Sequence, residues 1–561
     1  MSSRARSGRL SRRALLKYAT SGGAALLCGE SLSATATPGS GKGHQTQPVV
    51  ATTHGRVRGY TAGPVSIFKG IPYGASPTGE SRFLPPRQAV AWSGVRNATH
   101  YGPMAMQRPM TDETYLRVLR GLYPLLPYPM SEDCLFLNVW SPELGALSRR
   151  PVMVWLHPGG NTVGAGNSPW SDGTHLARRH EVVVVTLNHR LGVFGNLYLG
   201  DIGGSKYAES GNAGLLDIVA ALAWVQDNIE QFGGDPDNVT VFGESGGAGK
   251  VSALMAMPPA RGLFHKSIVQ SGSWIRAALP QEASKSAAAL VRRLGLEPHQ
   301  VDRLHHLPAR ALLEAMGDFV WPVLAGTALP RHLFDPDAPP TTAEVPMLIG
   351  NTRNEAIYYT LNSPLPPMID DAALCKNLVE SVGWEGVDDD EAAACVDAYR
   401  SVHPNASNEA IFFGIGTYLA CDDAIIQADR KAARAAAPVY MYLFEWEAPA
   451  FGGQYGSCHT FDVPFVFENL SAARQLWGPI PDPRGDELAA NISKSWATFA
   501  HTGNPNHSGL PPWRPYTAAA RETMVLNYAS KLVRDPWRAE RLAFEPLRSS
   551  RLSRVNKLKP S

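Results

Sequence analysis

Short apolar runs, set apart by glycine- and proline-rich turns, recur along most of this 561-residue chain. Pro151-Val152-Met153-Val154-Trp155-Leu156, Asn238-Val239-Thr240-Val241-Phe242, Val345-Pro346-Met347-Leu348-Ile349-Gly350 and Val439-Tyr440-Met441-Tyr442-Leu443-Phe444 read as strands. Glu181-Val182-Val183-Val184-Val185-Thr186-Leu187 is almost continuously apolar, the pattern of a strand covered on both faces. Leu215, Ile218, Val219, Leu222, Val225 and Ile229 recur at helical spacing and predict a helix with one apolar face. The stretches 275–330 and 360–435 read as mostly helical, expected to lie as insertions over the sheet and shape a pocket. Length alone suggests roughly three or four domains. The strand-like runs and the motifs between them are instead spread over the whole chain, as one sheet built from distant segments requires. The expected class is therefore α/β, a large, mostly parallel central sheet flanked by helices. There is no internal repeat.

One of these strands ends in candidate chemistry. Asn238–Phe242 leads into Gly243-Glu244-Ser245-Gly246-Gly247, a Gly-x-Ser-x-Gly pattern that precedes a small-residue helix start. A serine hydroxyl is a poor nucleophile unless a sharp strand-to-helix turn thrusts it out beside a base. Glycines two residues either side remove the Cβ atoms that would clash in such an elbow. The partners of an elbow serine follow in the order acid, then histidine. Nine histidines lie beyond Ser245. His459 follows the run 439–444 and a glycine-rich loop, placing it beyond a strand end where catalytic groups on open α/β sheets sit. His501 lies in a helical pattern and His265 at a helix-to-strand junction, both read as packing or surface positions. For the acid, Glu355 follows the run 345–350 in the loop Asn351-Thr352-Arg353-Asn354-Glu355 and is preferred to Asp462, only three residues from His459. Beyond the strand 151–156, His157-Pro158-Gly159-Gly160-Asn161 turns away with adjacent glycines whose amides can point at a developing oxyanion.

Together these segments resemble the type-B carboxylesterases, the α/β-hydrolase family that includes cholinesterases and bacterial para-nitrobenzyl-type esterases. The likeness runs from about Val49 to about Leu547 with the segments in the family's order. Phe68-Lys69-Gly70-Ile71-Pro72-Tyr73, Arg82-Phe83-Leu84-Pro85-Pro86 and Ser131-Glu132-Asp133-Cys134-Leu135-Phe136-Leu137-Asn138 open the series. Asn188-His189-Arg190-Leu191-Gly192, Phe232-Gly233-Gly234-Asp235-Pro236, Gln270-Ser271-Gly272-Ser273 and His459-Thr460-Phe461-Asp462 continue it around the elbow. The resemblance implies an α/β-hydrolase fold and a serine hydrolase of carboxylic esters working through an acyl-enzyme. It implies Ser245 as nucleophile, His459 as general base and acid, and Glu355 as the carboxylate that orients it. The amides of Gly159, Gly160 and Gly246 would form the oxyanion hole, with Ser271 and Glu244 in supporting positions. Two structural ion pairs are implied as well, Arg82 with Glu132 and Arg190 with Asp217. No cofactor and no metal is implied, and neither Cys-x-x-Cys nor His-Glu-x-x-His occurs.

The departures from the family pattern carry information. Pro158 replaces a glycine and stiffens the loop without removing an expected donor. Asn161 stands where the family has an aromatic residue, which alters the expected pocket wall. Gly246 replaces the usual alanine. Tyr123-Pro124-Leu125-Leu126-Pro127 has no tryptophan to hold a quaternary ammonium, which speaks against choline esters. The expected partner is a small-molecule ester of short or medium acyl length. Thioesters, carbamates or activated amides share the same chemistry and stand as the alternative. A non-catalytic cholinesterase-like binding protein is the third reading, and the complete Ser/Glu/His set argues against it.

At the N-terminus, Ser11-Arg12-Arg13-Ala14-Leu15-Leu16-Lys17 resembles a twin-arginine export signal, with Ala34-Thr35-Ala36 as a cleavage site. Residues 1–36 are expected to be a signal, 37–46 a linker, 47–548 the hydrolase domain and 549–561 a basic flexible tail, with the mature protein exported to the periplasm or beyond. Removal of the signal leaves 46 basic against 49 acidic side chains, so nucleic-acid binding has no support. No apolar run is long enough to span a membrane. Five cysteines remain after cleavage: Cys134, Cys375, Cys395, Cys421 and Cys458. The family's partner for Cys134 is replaced near Ala105, so that disulfide is not expected. Cys458 beside His459 permits a cysteine-nucleophile reading, which the complete serine elbow outweighs.

Overall fold

A computed structural model of the protein describes residues 47–108, 128–317, 321–357, 368, 370–380, 388–477, 480 and 482–554. The signal, the linker, the segment 123–127 and residues 555–561 lie outside the described residues.

The strands of the main sheet are β1 (Tyr60–Ala62), β2 (Val65–Pro72), β3 (Phe136–Ser141), β4 (Arg150–Leu156), β5 (Val183–Leu187), β6 (Gly234–Glu244), β7 (Lys266–Gln270), β8 (Met347–Thr352), β9 (Val439–Phe444), β10 (Glu522–Leu526) and β11 (Lys531–Arg534). They form one eleven-stranded sheet in the order β11-β10-β9-β8-β7-β6-β4-β5-β3-β2-β1. From β5 to β10 every pairing is parallel. The outer strands pair antiparallel.

Alternation along the central strands explains their apolar sequences. Val152, Val154 and Leu156 of β4 enter the core on one face, while Met153 and Trp155 enter a second core on the other. Both faces are covered, so neither set can be polar. The helices α1 (Ala213–Asn228), α2 (Gly246–Ala256), α3 (Pro280–Arg293), α4 (Asp389–Val402), α5 (Asn408–Ala433), α6 (Arg484–Thr502) and α7 (Arg538–Arg554) supply most of that cover. Leu215, Ile218, Leu222 and Val225 of α1 bury their predicted stripe in the first core. Among the described residues no helix is long and apolar enough to cross a membrane.

Strand order creates the place for a site. β5 follows β4 in the chain, yet β6 lies on the other side of β4. The loops leaving the carboxyl ends of β4 and β6 therefore diverge and open a crevice between them.

Both implied ion pairs form. Arg82 Nε donates to Glu132 Oε2 at 2.7 Å. Arg190 grips Asp217 of α1 through Nε and Nη2 at 2.8 and 2.6 Å, with both side chains buried. Asp217→Ala strands a buried guanidinium and is expected to cost about 3–5 kcal/mol of unfolding free energy. Denaturant titration checks this, and a loss below about 1 kcal/mol would show that water or carbonyls replace the carboxylate.

The tail is shorter than composition suggests. The helix α7 runs through to Arg554, past the expected boundary at 549. Arg551 pairs with Asp422 and Asp423 of α5 at 2.7 Å each, and Arg548 also pairs with Asp422. Ser550 donates to Glu391 of α4 at 2.8 Å. Arg551, which reads as part of a loose tail, is the counter-ion of acids more than a hundred positions away.

Candidate active site

Ser245 sits between β6 and α2 at φ 53° and ψ −124°, a strained backbone for a residue with a Cβ. Its N–H donates to the Gln270 carbonyl of β7 at 2.8 Å, and its carbonyl accepts from Gly249 at 3.0 Å. These bonds fix the elbow from both sides. The flanking glycine is a packing requirement, since a Cβ on Gly247 would lie 2.0 Å from the Leu156 carbonyl oxygen. The loop after β4 closes over the same turn. Gly159 and Gly160 take φ of 107° and 60°, and a Cβ on Gly246 would fall 2.5 Å or less from the Gly160 N, Cα and O. Gly160 and Gly246, two of the three expected donors, thus meet at the crevice, with Gly246 at the N-terminus of α2.

His459 and Glu355 meet from two other strand ends. The His459 Nδ1 lies 2.5 Å from Glu355 Oε2. The other oxygen of Glu355 accepts from the Thr352 N–H at 2.7 Å and the Asn351 side-chain amide at 3.2 Å. Two hydrogen bonds stitch the loops together: Asn354 N–H to the Ser457 carbonyl, and Ser457 N–H to Asn354 Oδ1, both 3.0 Å. On its far side the ring presents Nε2 3.2 Å from Oε1 of Glu244, the residue joined to Ser245. The imidazole therefore spans from the acid loop to the elbow.

Asp462, the rejected acid, turns away. Its Oδ2 accepts from Gln270 Nε2 at 2.9 Å and the Tyr442 hydroxyl at 2.8 Å. Ser271, also at positive φ (53°), places its hydroxyl near Glu355 without strict hydrogen-bond geometry, yet close enough to favour the ionised carboxyl.

The electrostatics sort the acids. Burial pushes Glu355 up, but the His459 charge, the hydrogen bonds of His459 and Thr352 and the nearby Ser271 hydroxyl outweigh it and hold the carboxyl below its ordinary range. Burial lifts Glu244 well above that range, the opposite direction to Glu355. For His459, burial opposes the imidazolium, while the Glu244 and Glu355 carboxylates outweigh it and raise the pKa. Burial keeps the Cys458 thiol protonated, the opposite of a nucleophilic cysteine. Cys134, Cys375, Cys395, Cys421 and Cys458 are all free thiols. Among the described residues no cluster of three or more His, Cys, Asp or Glu side chains is placed to hold a metal ion.

Sequence reasoning passed over Asn351, Thr352 and Lys250. The first two carry no signal beyond following a strand. Lys250 does carry one, as the only charged residue in the eleven-residue helix α2, all of which is buried.

A parallel sheet with a serine elbow at its topological switch defines an α/β-hydrolase. Residues 46–545 match the carboxylesterase family. The chain is 36% identical to the para-nitrobenzyl esterase of Bacillus subtilis (strain 168), covering 88% of this chain and 97% of that protein. It is 33% identical to liver carboxylesterase of Sus scrofa, covering 84% and 88%. A solved Geobacillus stearothermophilus carboxylesterase superposes with a TM-score of 0.76 at 36% identity, covering 88% of this chain and 99% of that one. This chain belongs to the carboxylesterase family and is a carboxylic-ester hydrolase acting on small-molecule esters.

Proposed function

We propose that Ser245, His459 and Glu355 form the catalytic triad and that the amides of Gly159, Gly160 and Gly246 form the oxyanion hole. The observation that carries this reading is the placement of one imidazole. Its Nδ1 bonds Glu355, while its Nε2 lies beside the residue preceding Ser245. His459 takes the Ser245 proton as the oxygen attacks the ester carbonyl, and Glu355 stabilises the imidazolium and fixes its tautomer. The carbonyl oxygen becomes an oxyanion held by the three amides and the N-terminal dipole of α2. The C–O bond to the alcohol breaks and His459 returns the proton to the leaving oxygen. Water then attacks the acyl-serine with His459 again as base, releasing the acid and restoring the hydroxyl.

Glu244 and Ser271 support the triad rather than react. The Thr460 backbone beside His459 favours the Glu244 carboxylate against its burial, and Ser271 helps keep Glu355 ionised. The same reading includes export through the twin-arginine-like segment and a preference for short or medium acyl chains. A para-nitrobenzyl ester is a natural assay substrate, given the likeness to a para-nitrobenzyl esterase.

A fluorophosphonate probe tests the nucleophile directly. The folded protein should take up one equivalent, and peptide mapping should place the adduct on Ser245. Labelling at another residue, or none, would refute the assignment.

A further inference from the structure

The mechanism leaves a buried cation beside the site unused. Lys250 lies one turn into α2 and is 1% exposed. Its Nζ donates to the Gly160 carbonyl at 2.5 Å and to the Gly246 carbonyl at 3.1 Å. These two residues belong to opposite walls of the proposed oxyanion hole. Among the described residues no carboxylate pairs with this amine. Its titratable neighbours are His157, beyond β4, and His189, beyond β5, stacked with ring centroids 4.9 Å apart. Burial first, and then the Lys250 charge, push both imidazoles toward the neutral form.

We propose that Lys250 is a positioning residue for ester hydrolysis, whose amine ties the Gly160 loop to the Gly246 end of α2 and so holds the oxyanion donors in register. This inference rests on the active-site reading above. The physical need is specific. Gly159 and Gly160 are adjacent, both at positive φ, and glycine restrains its backbone least. Gly246 meets Gly160 with no Cβ between them, so side-chain packing cannot lock that contact either. Preorganised donors stabilise an oxyanion only if they do not have to be reoriented during the reaction. A donor reaching both carbonyls supplies the missing restraint, and each tie limits the backbone freedom of a glycine assigned to the hole.

Lysine suits the task because the clamp survives loss of its charge. Burial lowers the Lys250 pKa to about 7. The neutral amine still carries two hydrogens, one for each carbonyl, so no unpaired ammonium has to stay buried at mildly alkaline pH. The clamp therefore persists through the range in which His459 becomes a free base.

Lys250→Met, of similar length and without a donor, is the test in the full chain. With p-nitrophenyl acetate, kcat should fall about 10- to 100-fold, less than the loss of a direct oxyanion donor, while KM changes less than about threefold. An aryl trifluoromethyl ketone, which forms a hemiketal oxyanion on the serine, should lose affinity by the same factor as kcat. A packing role alone would lower thermal stability without that split. Lys250→Gln keeps two hydrogens on a shorter stem and should recover part of the loss. If the methionine variant does not fold, the glutamine variant is read in its place, with a smaller loss in the same pattern. Turnover within twofold of wild type, or a rise in KM that matches the loss of ketone affinity, overturns the proposal. Ser245→Ala separates the two failures. If it stays active the triad reading falls, and if it is dead while the Lys250 variants turn over normally only the clamp falls.

Discussion

Ser245→Ala is expected to lower kcat for aryl esters by about 10⁵- to 10⁶-fold while leaving the fold intact. In the proposed mechanism the Ser245 hydroxyl forms the acyl bond, and alanine offers no atom to replace it. The residual rate should reflect binding and the oxyanion hole acting on water. Stability should barely move. Alanine retains the Cβ and therefore the strain of the positive φ, and the two backbone hydrogen bonds that anchor the elbow do not involve the side chain. Stopped assays with protein purified away from host esterases, alongside thermal unfolding, check both halves. Undiminished hydrolysis would end the Ser245 assignment.

Glu355→Gln is expected to cost about 10³- to 10⁴-fold in kcat. The loss comes from charge and tautomer rather than from packing. Glutamine is isosteric, and its carbonyl can still accept from the Thr352 N–H and Asn351. Its amide nitrogen would then face Nδ1 of His459, a donor meeting a donor unless the ring adopts the wrong tautomer. A pH profile gives an independent reading. Glu244 and Glu355 together raise the His459 pKa in the folded protein, and in the proposed mechanism the free-base imidazole is the active form. Removing the Glu355 carboxylate lowers the pKa, so the acid limb of kcat/KM should move to lower pH even as the plateau falls. A limb that stays in place would transfer the orienting role to Glu244 or Asp462. The geometry argues against Asp462, whose Oδ2 is taken by Gln270 and Tyr442.

The elbow was legible because its requirements are local. A strand, a serine and close-approach glycines lie within a dozen residues, and the contact of Gly247 with the Leu156 carbonyl shows why those glycines cannot be larger. The central strands were legible for a related reason, since burial on both faces leaves an apolar run that is visible without knowing the neighbours. His459 and Glu355 required the additional idea of strand ends, and the resemblance supplied their roles. Asn351 and Thr352 could not be picked out. Their contribution is one amide and one backbone N–H aimed at a carboxylate, and many strand ends offer those groups.

Local pattern and composition thus determined the class of fold, the position of the elbow and the order in which its partners follow. Three matters were decided only by tertiary structure. Asp422 and Asp423 claim Arg551, converting the start of an apparently loose basic tail into the end of a packed helix. Glu355 rather than Asp462 meets the imidazole, because β8 and the loop after β9 are sewn together by Asn354 and Ser457. Lys250, one charge in an otherwise small and apolar helix, finds two carbonyls on opposite sides of the crevice. In each case the deciding energy is a long-range polar contact in a buried setting. Hydropathy along the chain reports how much water a residue sheds on folding, but not which partner replaces it.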